Sequence, residues 1–380
     1  MYHFEPLTAY LDHLYENFLI PACDVMIVRD GEQVYRHMAG TSDLEGKRPL
    51  AGNEMYAIYS ATKISTVTGA MRLIQEKKLA LDDPVSKYLP SFGKVTVKSA
   101  DGTEHPAKNV MTIRHLMSMQ GGLDYDMMRG DAKTLLKKTG GKAGTVELAS
   151  TYAKGPLLFE PGTRYKYSLC HDVLAAVIEV ASGMRFSDYL NEIIFRPLGM
   201  KNTTFHPTED QQPLMCRLFK KNDAQDQLLD CGLFPESRLG EAYESGGGGL
   251  MSTVEDYIEL AAALANYGTA RNGYELLLPE TVELLRTPML GELQQMDMMA
   301  TYPYMRGYTY CLGVRRYMDN AGSPAAKGHF GWDGAAGFYV LSDPENNIAL
   351  IYAQNVLNSR DTFFLIQGQI RDLAYLCMQE

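Results

Sequence analysis

The spacing of apolar positions predicts the elements at both ends of the chain. Over residues 6–19, leucine and phenylalanine recur at helical intervals, which is typical of an amphipathic helix. Two β-rich runs, DVMIV and QVYRHMAG, follow on either side of an Asp30-Gly31 turn and predict a hairpin. A second hairpin is predicted from residues 337–343 and 348–355, and the apolar stripe that begins at Phe363 predicts a terminal helix.

The middle of the chain, residues 85–240, reads as mostly helical with loops. Gly183 is the expected stop of one strongly periodic helix, and Ser187 is the expected N-cap of the next. A capping box is predicted further on, with Ser252 as N-cap and Glu255 three residues along. The principal helices predicted from this periodicity span residues 60–77, 110–119, 171–183, 186–199 and 252–268.

This order of elements predicts an α/β (α+β) fold in a chain of 380 residues. The simplest assembly joins both ends into one antiparallel sheet flanked by helices, with the middle as a mostly helical lobe. We expect an α/β lobe of approximately residues 1–80 and 280–380, and a helical lobe of approximately 81–279, within one catalytic unit. The cleft between lobes is the expected place for a site.

Composition narrows the range of partners. The net charge of −10 disfavours nucleic acid and anionic membrane surfaces, and no run of about 18 apolar residues predicts a membrane span. The six cysteines are scattered without a CxxC pair, which favours reduced thiols and a cytoplasmic protein, as does the polar N-terminus. The sequence has no HExxH motif, and Gly246–Gly249 is not a phosphate-binding loop, so no metal or cofactor is expected.

A candidate nucleophile stands at the start of the buried helix over residues 60–77. Ser60 and Lys63 form an S-x-x-K motif, and residues three apart share one helical face. A buried lysine of lowered pKa can take the proton of a serine, while the helix N-terminus supplies positive potential for an oxyanion. The alternative from this motif alone is an N-cap serine beside a lysine that extends to solvent.

The segments around this motif resemble the serine β-lactamase family, which includes class C β-lactamases, D,D-peptidases and family VIII carboxylesterases. The stretch from YAIYSATK onward is similar to the family's nucleophile helix, and the later blocks follow in family order over roughly residues 25–375. The resemblance implies the β-lactamase/transpeptidase-like fold and acyl-transfer chemistry. The later blocks are MTIRHLMSMQGGL (111–123), PGTRYKYSLCHDVLAAVIEVASG (161–183), GGGGLMSTVEDY (246–257) and GHFGWDGAAGFYVLSDPENNIALIYAQN (328–355).

Roles for three residues follow from this resemblance. Ser60 matches the acylated nucleophile, and Lys63 matches the lysine that shares its proton. Tyr167 matches the first position of the family's Y-x-N motif and is implied to be the general base and later the acid. The alternatives are a tyrosine buried for packing, or Tyr165 in the same role. Whether Lys63 or Tyr167 acts as the first base is left open.

The resemblance also implies a substrate-binding strand. His329-Phe330-Gly331 takes the place of the family's K-T-G or H-x-G strand, so His329 is expected to orient the tyrosine phenol or the substrate. Gly331 is expected to let substrate approach the strand backbone. The backbone N–H groups of Ser60 and Trp332 are the implied oxyanion hole. The indole of Trp332 is expected either as a pocket wall or as ordinary packing.

One position departs from the family pattern. Leu169 stands where the Y-x-N motif has asparagine, and leucine cannot hydrogen-bond a substrate amide. The loss disfavours β-lactams and peptides by roughly 1–3 kcal/mol if the site is buried. A second open question is the segment 294–310, dense in methionine and tyrosine, which forms either an adaptable apolar pocket or a loop packed on the core.

These expectations favour a serine hydrolase that acts through an acyl-enzyme on a small ester or amide and is carboxylesterase-like. The first alternative is a β-lactamase or D-amino-acid peptidase or amidase on the same machinery. The second is a catalytically silent binding protein on this fold. The expected partner is a small ester, amide or peptide substrate, while the acyl acceptor and the oligomeric state are left open.

Overall fold

The computed structural model describes residues 2–44, 47–222, 227–234, 240, 242–319 and 322–379. The strands are β1 (Ala22–Arg29), β2 (Glu32–Gly40), β3 (Tyr56–Ala57), β4 (Thr96–Lys98), β5 (Glu104–Pro106), β6 (Leu218–Asn222), β7 (Gln227–Gly232), β8 (Met251–Ser252), β9 (Tyr308–Tyr310), β10 (Arg315–Tyr317), β11 (Phe330–Asp333), β12 (Tyr339–Asp343), β13 (Ile348–Ala353) and β14 (Val356–Leu357).

The α-helices are α1 (Glu5–Asp12), α2 (Leu14–Phe18), α3 (Thr62–Gln75), α4 (Ile113–Met117), α5 (Ala132–Thr139), α6 (Thr145–Thr151), α7 (Cys170–Ser182), α8 (Phe186–Leu190), α9 (Arg196–Leu198), α10 (Val254–Ala265), α11 (Pro279–Leu285), α12 (Glu292–Thr301) and α13 (Gln367–Cys377). A 3₁₀ turn, Tyr59–Ala61, precedes α3, and a π-helical turn, Thr362–Ile366, precedes α13. Among these described helices, none has the length and apolar character that crossing a bilayer requires.

The central sheet confirms the predicted fold class. Within the described residues its seven strands run in the order β2-β1-β13-β12-β11-β10-β9, and every neighbouring pair is antiparallel. Strands from the two ends of the chain therefore share one sheet. The turn between β1 and β2 uses positive φ at both Asp30 (53°) and Gly31 (81°), as a two-residue type I′ hairpin requires.

Apolar layers cover both faces of this sheet. Along β13, Ala349 and Ile351 join the larger core that contains α3, α7 and α10, while Leu350 and Tyr352 join a smaller core with α1 and α13. Since successive side chains of a strand point to opposite faces, a strand covered on both sides is buried throughout, and β13 is. Helix α3, which follows the turn that contains Ser60, lies inside the larger core.

The capping box predicted before α10 is displaced by one residue. The N-cap is Thr253, whose backbone is extended and whose side chain accepts a hydrogen bond from the N–H of Asp256. Ser252 belongs to β8, paired with Tyr56, so its backbone is already committed to a strand. Glu255 lies near the Arg36 guanidinium at 3.5 Å.

Two other helices differ from the sequence prediction, one by a break and one in its first residue. The helix expected over residues 6–19 is broken at His13 into α1 and α2. The N-cap of α8 is Arg185, and Ser187 lies inside the first turn, where its N–H donates to the buried Glu244 carboxylate at 2.7 Å. That long-range contact fixes the start of α8, and nothing in the local sequence encodes it.

Candidate active site

The S-x-x-K motif places a hydroxyl and an amine side by side. Ser60 lies in the 3₁₀ turn before α3, and Lys63 lies in the first turn of that helix, fully buried. Lys63 Nζ donates to Ser60 Oγ at 3.2 Å and to the carbonyl of Gly247 at 2.5 Å. The interpretation of Lys63 as a lysine that extends to solvent is therefore excluded.

Burial changes the proton affinity of this lysine. Desolvation lowers the pKa of Lys63 to about 7, while the negative charge of Asp172 acts in the opposite direction. An amine with a pKa near 7 is neutral in a substantial fraction of molecules at neutral pH. It can then accept a proton from the hydroxyl that lies within hydrogen-bonding distance.

A carboxylate that sequence reasoning missed stands behind the lysine. Asp172, in the first turn of α7, is 1% exposed. Its Oδ1 accepts hydrogen bonds from the Tyr243 hydroxyl (2.8 Å), the Ser245 hydroxyl (2.6 Å) and the N–H of Gly247 (3.4 Å). Because Gly247 in turn accepts from Lys63, Asp172 holds the backbone that receives the amine. The available signal was an acidic residue in the first turn of a mostly apolar helix.

Of the two candidate tyrosines, Tyr167 faces the site. Its hydroxyl accepts a hydrogen bond from the indole N–H of Trp332 at 3.1 Å, and the two rings stack at 5.6 Å. Lys63 Nζ lies 4.6 Å from the Tyr167 ring centroid. Burial raises the pKa of the Tyr167 phenol well above its ordinary value, and a hydrogen bond with Ser60 acts the other way. Tyr165 instead lies in the core, its hydroxyl without a partner among described residues.

A second phenol, also missed from the sequence, completes the surroundings of the serine. The ring of Tyr125 stacks on that of Tyr167 at 5.7 Å and lies 5.8 Å from Lys63 Nζ. Burial raises the pKa of both phenols, and their interaction with Ser60 acts in the opposite direction. Tyr125 comes from the loop after α4, about 40 residues before Tyr167, so no local motif links them.

Gly334, three residues beyond Gly331, is the glycine that packs against the turn that holds Ser60. A Cβ on Gly334 would lie 2.1 Å from the carbonyl oxygen of Ile58 and 3.4 Å from Cβ of Tyr59, so only glycine fits against the nucleophile turn. A Cβ on Gly331 would instead meet the carbonyl of Val340 within the sheet. Gly334 is also the glycine that lines the cavity at Ser60.

The backbone N–H of Trp332, the expected oxyanion-hole donor, lies in a strand pair. The N–H of Gly334 donates to Phe338, and the pair Trp332–Val340 lies two residues back in the same antiparallel register. Hydrogen-bonded pairs recur every second residue, so the N–H of Trp332 is committed to Val340. The N–H of Ala335, which also lines the cavity, has no acceptor in the part of the chain that the structure describes.

The imidazole of His329 lies away from these groups. It is 1% exposed, with Nε2 at 2.9 Å from the Tyr308 hydroxyl and Nδ1 at 2.7 Å from the carbonyl of Ala326. Burial lowers its pKa to about 3. Among the described contacts none joins His329 to Tyr167. The hydrogen bond expected from the histidine to that phenol is donated by the Trp332 indole instead.

Leu169 is likewise set back from the cavity. It is fully buried in the larger core and precedes α7 as its N-cap residue. Its backbone N–H donates to the carbonyl of Asp124 at 3.0 Å. Leu169 therefore fixes the loop that presents Tyr125, and its side chain adds no polar group to the site.

The cavity above Ser60 has a volume of about 520 Å³ and an aromatic wall. Its polar lining includes Asn358 and Arg360. The segment 294–310 contributes in two ways: Met298 is buried in the core from α12, while tyrosines after that helix reach the cavity. The aromatic lining residues are Tyr59, Tyr125, Tyr167, Tyr302, Tyr304, Trp332, Phe363 and Phe364.

Comparison with known proteins identifies relatives that match most of this chain. The beta-lactamase family model matches residues 9–374. Esterase EstB of Burkholderia gladioli is 29% identical over 381 residues, covering 92% of this chain and 90% of the esterase. A putative D-alanyl-D-alanine carboxypeptidase of Escherichia coli K12 is 25% identical, covering 88% of this chain and 78% of that protein.

A solved structure extends the likeness to the fold. The chain superposes on EstCE1, described as a hydrolase with promiscuous acyltransferase activity, with a TM-score of 0.79. The two are 26% identical, and the match covers 98% of each chain. The fold of this chain thus occurs in a protein described as a hydrolase.

Proposed function

This chain is a member of the beta-lactamase family of serine hydrolases, and on that premise we propose that it cleaves a small ester through an acyl-enzyme at Ser60. One observation carries the proposal: Ser60 accepts a hydrogen bond from Lys63, which is fully buried and has a pKa of about 7. That pair opens into an aromatic cavity large enough for a small substrate.

Acylation begins with a proton transfer. Neutral Lys63 takes the proton of Ser60 across 3.2 Å, and Ser60 Oγ attacks the ester carbonyl carbon. The raised pKa of Tyr167 keeps its phenol protonated, which favours Lys63 as the first base and Tyr167 as the acid that protonates the departing alcohol. The Trp332 indole holds the Tyr167 oxygen in place.

The developing oxyanion requires two aligned donors. We assign them to the backbone N–H groups of Ser60 and Ala335, because Gly334 brings Ala335 against the nucleophile turn while the N–H of Trp332 is used in the sheet. Water then attacks the acyl carbonyl carbon and gives a proton to Tyr167. Lys63 returns its proton to Ser60 Oγ, and Ser60 is released.

Ester specificity is supported by the lining of the cavity. Its rings suit an apolar acyl or alkoxy group, and Leu169 offers no hydrogen bond to a substrate amide. EstB is named an esterase, and EstCE1 is described as a hydrolase. The placement in the cytoplasm and the division into two lobes stay predictions.

A second candidate is a peptidase or β-lactamase on the same machinery. Arg360 and Asn358 line the cavity, and a guanidinium beside an amide suits the carboxylate that such substrates carry. The carboxypeptidase relative is consistent with this alternative. A silent binding protein is disfavoured, because keeping a lysine fully buried against a serine is costly without a chemical use.

The test compares two substrates and two proteins. Wild type and Ser60→Ala are assayed on p-nitrophenyl butyrate and on a chromogenic cephalosporin. We expect ester turnover that disappears in Ser60→Ala and a cephalosporin rate at least tenfold lower than the ester rate in kcat/KM. Efficient cephalosporin turnover would replace the ester proposal by the second candidate, and Ser60-independent ester turnover would refute both.

A further inference from the structure

A second cavity, of about 200 Å³, lies beside the first, between strands β9, β10 and β12 and the start of α13. Arginines line it from three directions: Arg306 from the loop before β9, Arg315 from β10 and Arg371 from α13. Among its described lining residues there is no aspartate or glutamate. The lining chemistry is therefore cationic, in a protein whose net charge is −10.

Two of these guanidinium groups make hydrogen bonds within the fold and still have N–H donors that are not used. Arg315 is 5% exposed, and its Nη1 donates to Asp333 at 2.6 Å. Arg371 donates from Nε to Asp372 and from Nη1 to the Tyr308 hydroxyl. Their other nitrogens have no acceptor in the described part of the chain, and both side chains line the cavity.

The remaining lining groups fit the same kind of ligand. Tyr339 lines the cavity, and its hydroxyl has no hydrogen-bond partner among the described residues. Since Arg315 and Arg371 each already have a carboxylate partner behind them, the exposed Arg306 supplies the charge that is not compensated. Forked guanidinium donors with a phenol are suited to a planar or tetrahedral oxyanion.

From this arrangement we propose that the second cavity binds the oxyanion of a small ligand, a carboxylate or a phosphate. The oxyanion has two possible sources, a free anion or the far end of an ester held at Ser60. The second source rests on the proposed function.

The two cavities are adjacent, so an anionic group bound in the second cavity can belong to an ester that is held at Ser60. Tyr304, Phe363 and Phe364 line both cavities, and the centroid of the Tyr304 ring lies 5.5 Å from that of Phe363 and 5.3 Å from that of Phe364. Phe364 is 45% exposed, so this shared wall reaches the surface and the cavities open side by side. The Arg315–Asp333 ion pair also spans them, because Asp333 lines the active-site cavity.

The binding test uses inorganic phosphate and glutarate in titration calorimetry. We expect one saturable site in wild type, an affinity at least tenfold lower in Arg306→Glu, and a smaller loss in Tyr339→Phe, which removes only a hydroxyl. Lys133→Glu makes the same change of charge at an exposed position of α5 and should leave the affinity within twofold. Absence of saturable binding, or equal weakening by Lys133→Glu, would overturn the proposal.

The source of the oxyanion is tested with matched esters, p-nitrophenyl butyrate and the p-nitrophenyl half-ester of glutarate. If the substrate supplies it, Arg306→Glu lowers kcat/KM about tenfold for the half-ester alone, and phosphate competes with that ester only. If a free anion supplies it, phosphate binds and both esters respond alike. A protein that binds phosphate but hydrolyses no ester refutes the proposed function and keeps this site; ester turnover without anion binding does the reverse.

Discussion

In the proposed mechanism, Lys63 is the residue on which proton transfer depends. Its amine makes hydrogen bonds to Ser60 and Gly247, and its environment trades a desolvation cost against the charge of Asp172. Activity that requires the neutral amine should therefore rise with pH through the region of its pKa, about 7.

Asp172→Asn should move this pH dependence. Removing a negative charge near Lys63 destabilises the protonated amine, so its pKa falls and the acidic limb of kcat/KM shifts to lower pH. Ser245→Ala is the matched control, because it removes one hydrogen bond to Asp172 and leaves the carboxylate charge. A limb that stays in place in Asp172→Asn, or moves equally in Ser245→Ala, argues against the electrostatic role.

Trp332→Phe should separate the indole N–H from the aromatic wall. The variant keeps a ring beside Tyr167 but loses the 3.1 Å hydrogen bond, which corresponds to about 1 kcal/mol and roughly a fivefold drop in kcat/KM. Tyr310→Phe removes a nearby buried hydroxyl that has no described partner, and its activity should stay at the wild-type level. Identical rates for Trp332→Phe and wild type would contradict the positioning of Tyr167.

At the scale of residues, the sequence predicts site residues that belong to one local motif. It does not predict site residues that come together only in the folded chain. Ser60 and Lys63 follow from helical spacing. Tyr125 and Asp172 reach the site from separate segments, and no local pattern links either one to the serine. The resemblance assigns the substrate-binding strand to His329-Phe330-Gly331, and no local pattern distinguishes Gly331 from Gly334, the glycine that packs against the turn holding Ser60.

At the scale of elements, the end of β11 and the turn before α3 form one unit. Gly334 is the contact between them, with no room for a side chain next to Ile58. The elements themselves were largely predictable from periodicity. Their boundaries were less so, because the N-caps Thr253 and Arg185 depend on strand pairing and on the buried Glu244.

Gly334→Ala should therefore push β11 away from the nucleophile turn. With a Cβ 2.1 Å from a carbonyl oxygen, something must shift, and we expect kcat/KM to fall at least a hundredfold while circular dichroism stays that of a folded protein. Gly144→Ala, at a position with negative φ and open space around it, is the control and should keep full activity. Wild-type activity in Gly334→Ala would show that this contact does not align the site.

At the scale of the molecule, one sheet gathers both ends of the chain between two apolar layers. The alternation of predicted hairpins and helices was enough to expect this assembly. The strand order, with β13 between β1 and β12, follows from long-range pairing that periodicity does not encode.

Leu350→Ala tests the layer that α1 and α13 form. The side chain is 1% exposed in β13, so the truncation leaves a cavity and should cost about 2–5 kcal/mol in the free energy of unfolding. Leu229→Ala, at a position of β7 that is 48% exposed, should change it by less than about 0.5 kcal/mol. Urea unfolding measures both, and equal effects would contradict the assignment of this core.

The most direct test of the account is the mass of the protein after reaction with a fluorophosphonate, followed by peptide mapping. The account predicts one adduct per wild-type chain, located on Ser60, no adduct in Ser60→Ala, and much slower labelling in Lys63→Ala. An unlabelled wild type, or an adduct that persists in Ser60→Ala, would contradict the claim that Ser60 is the nucleophile.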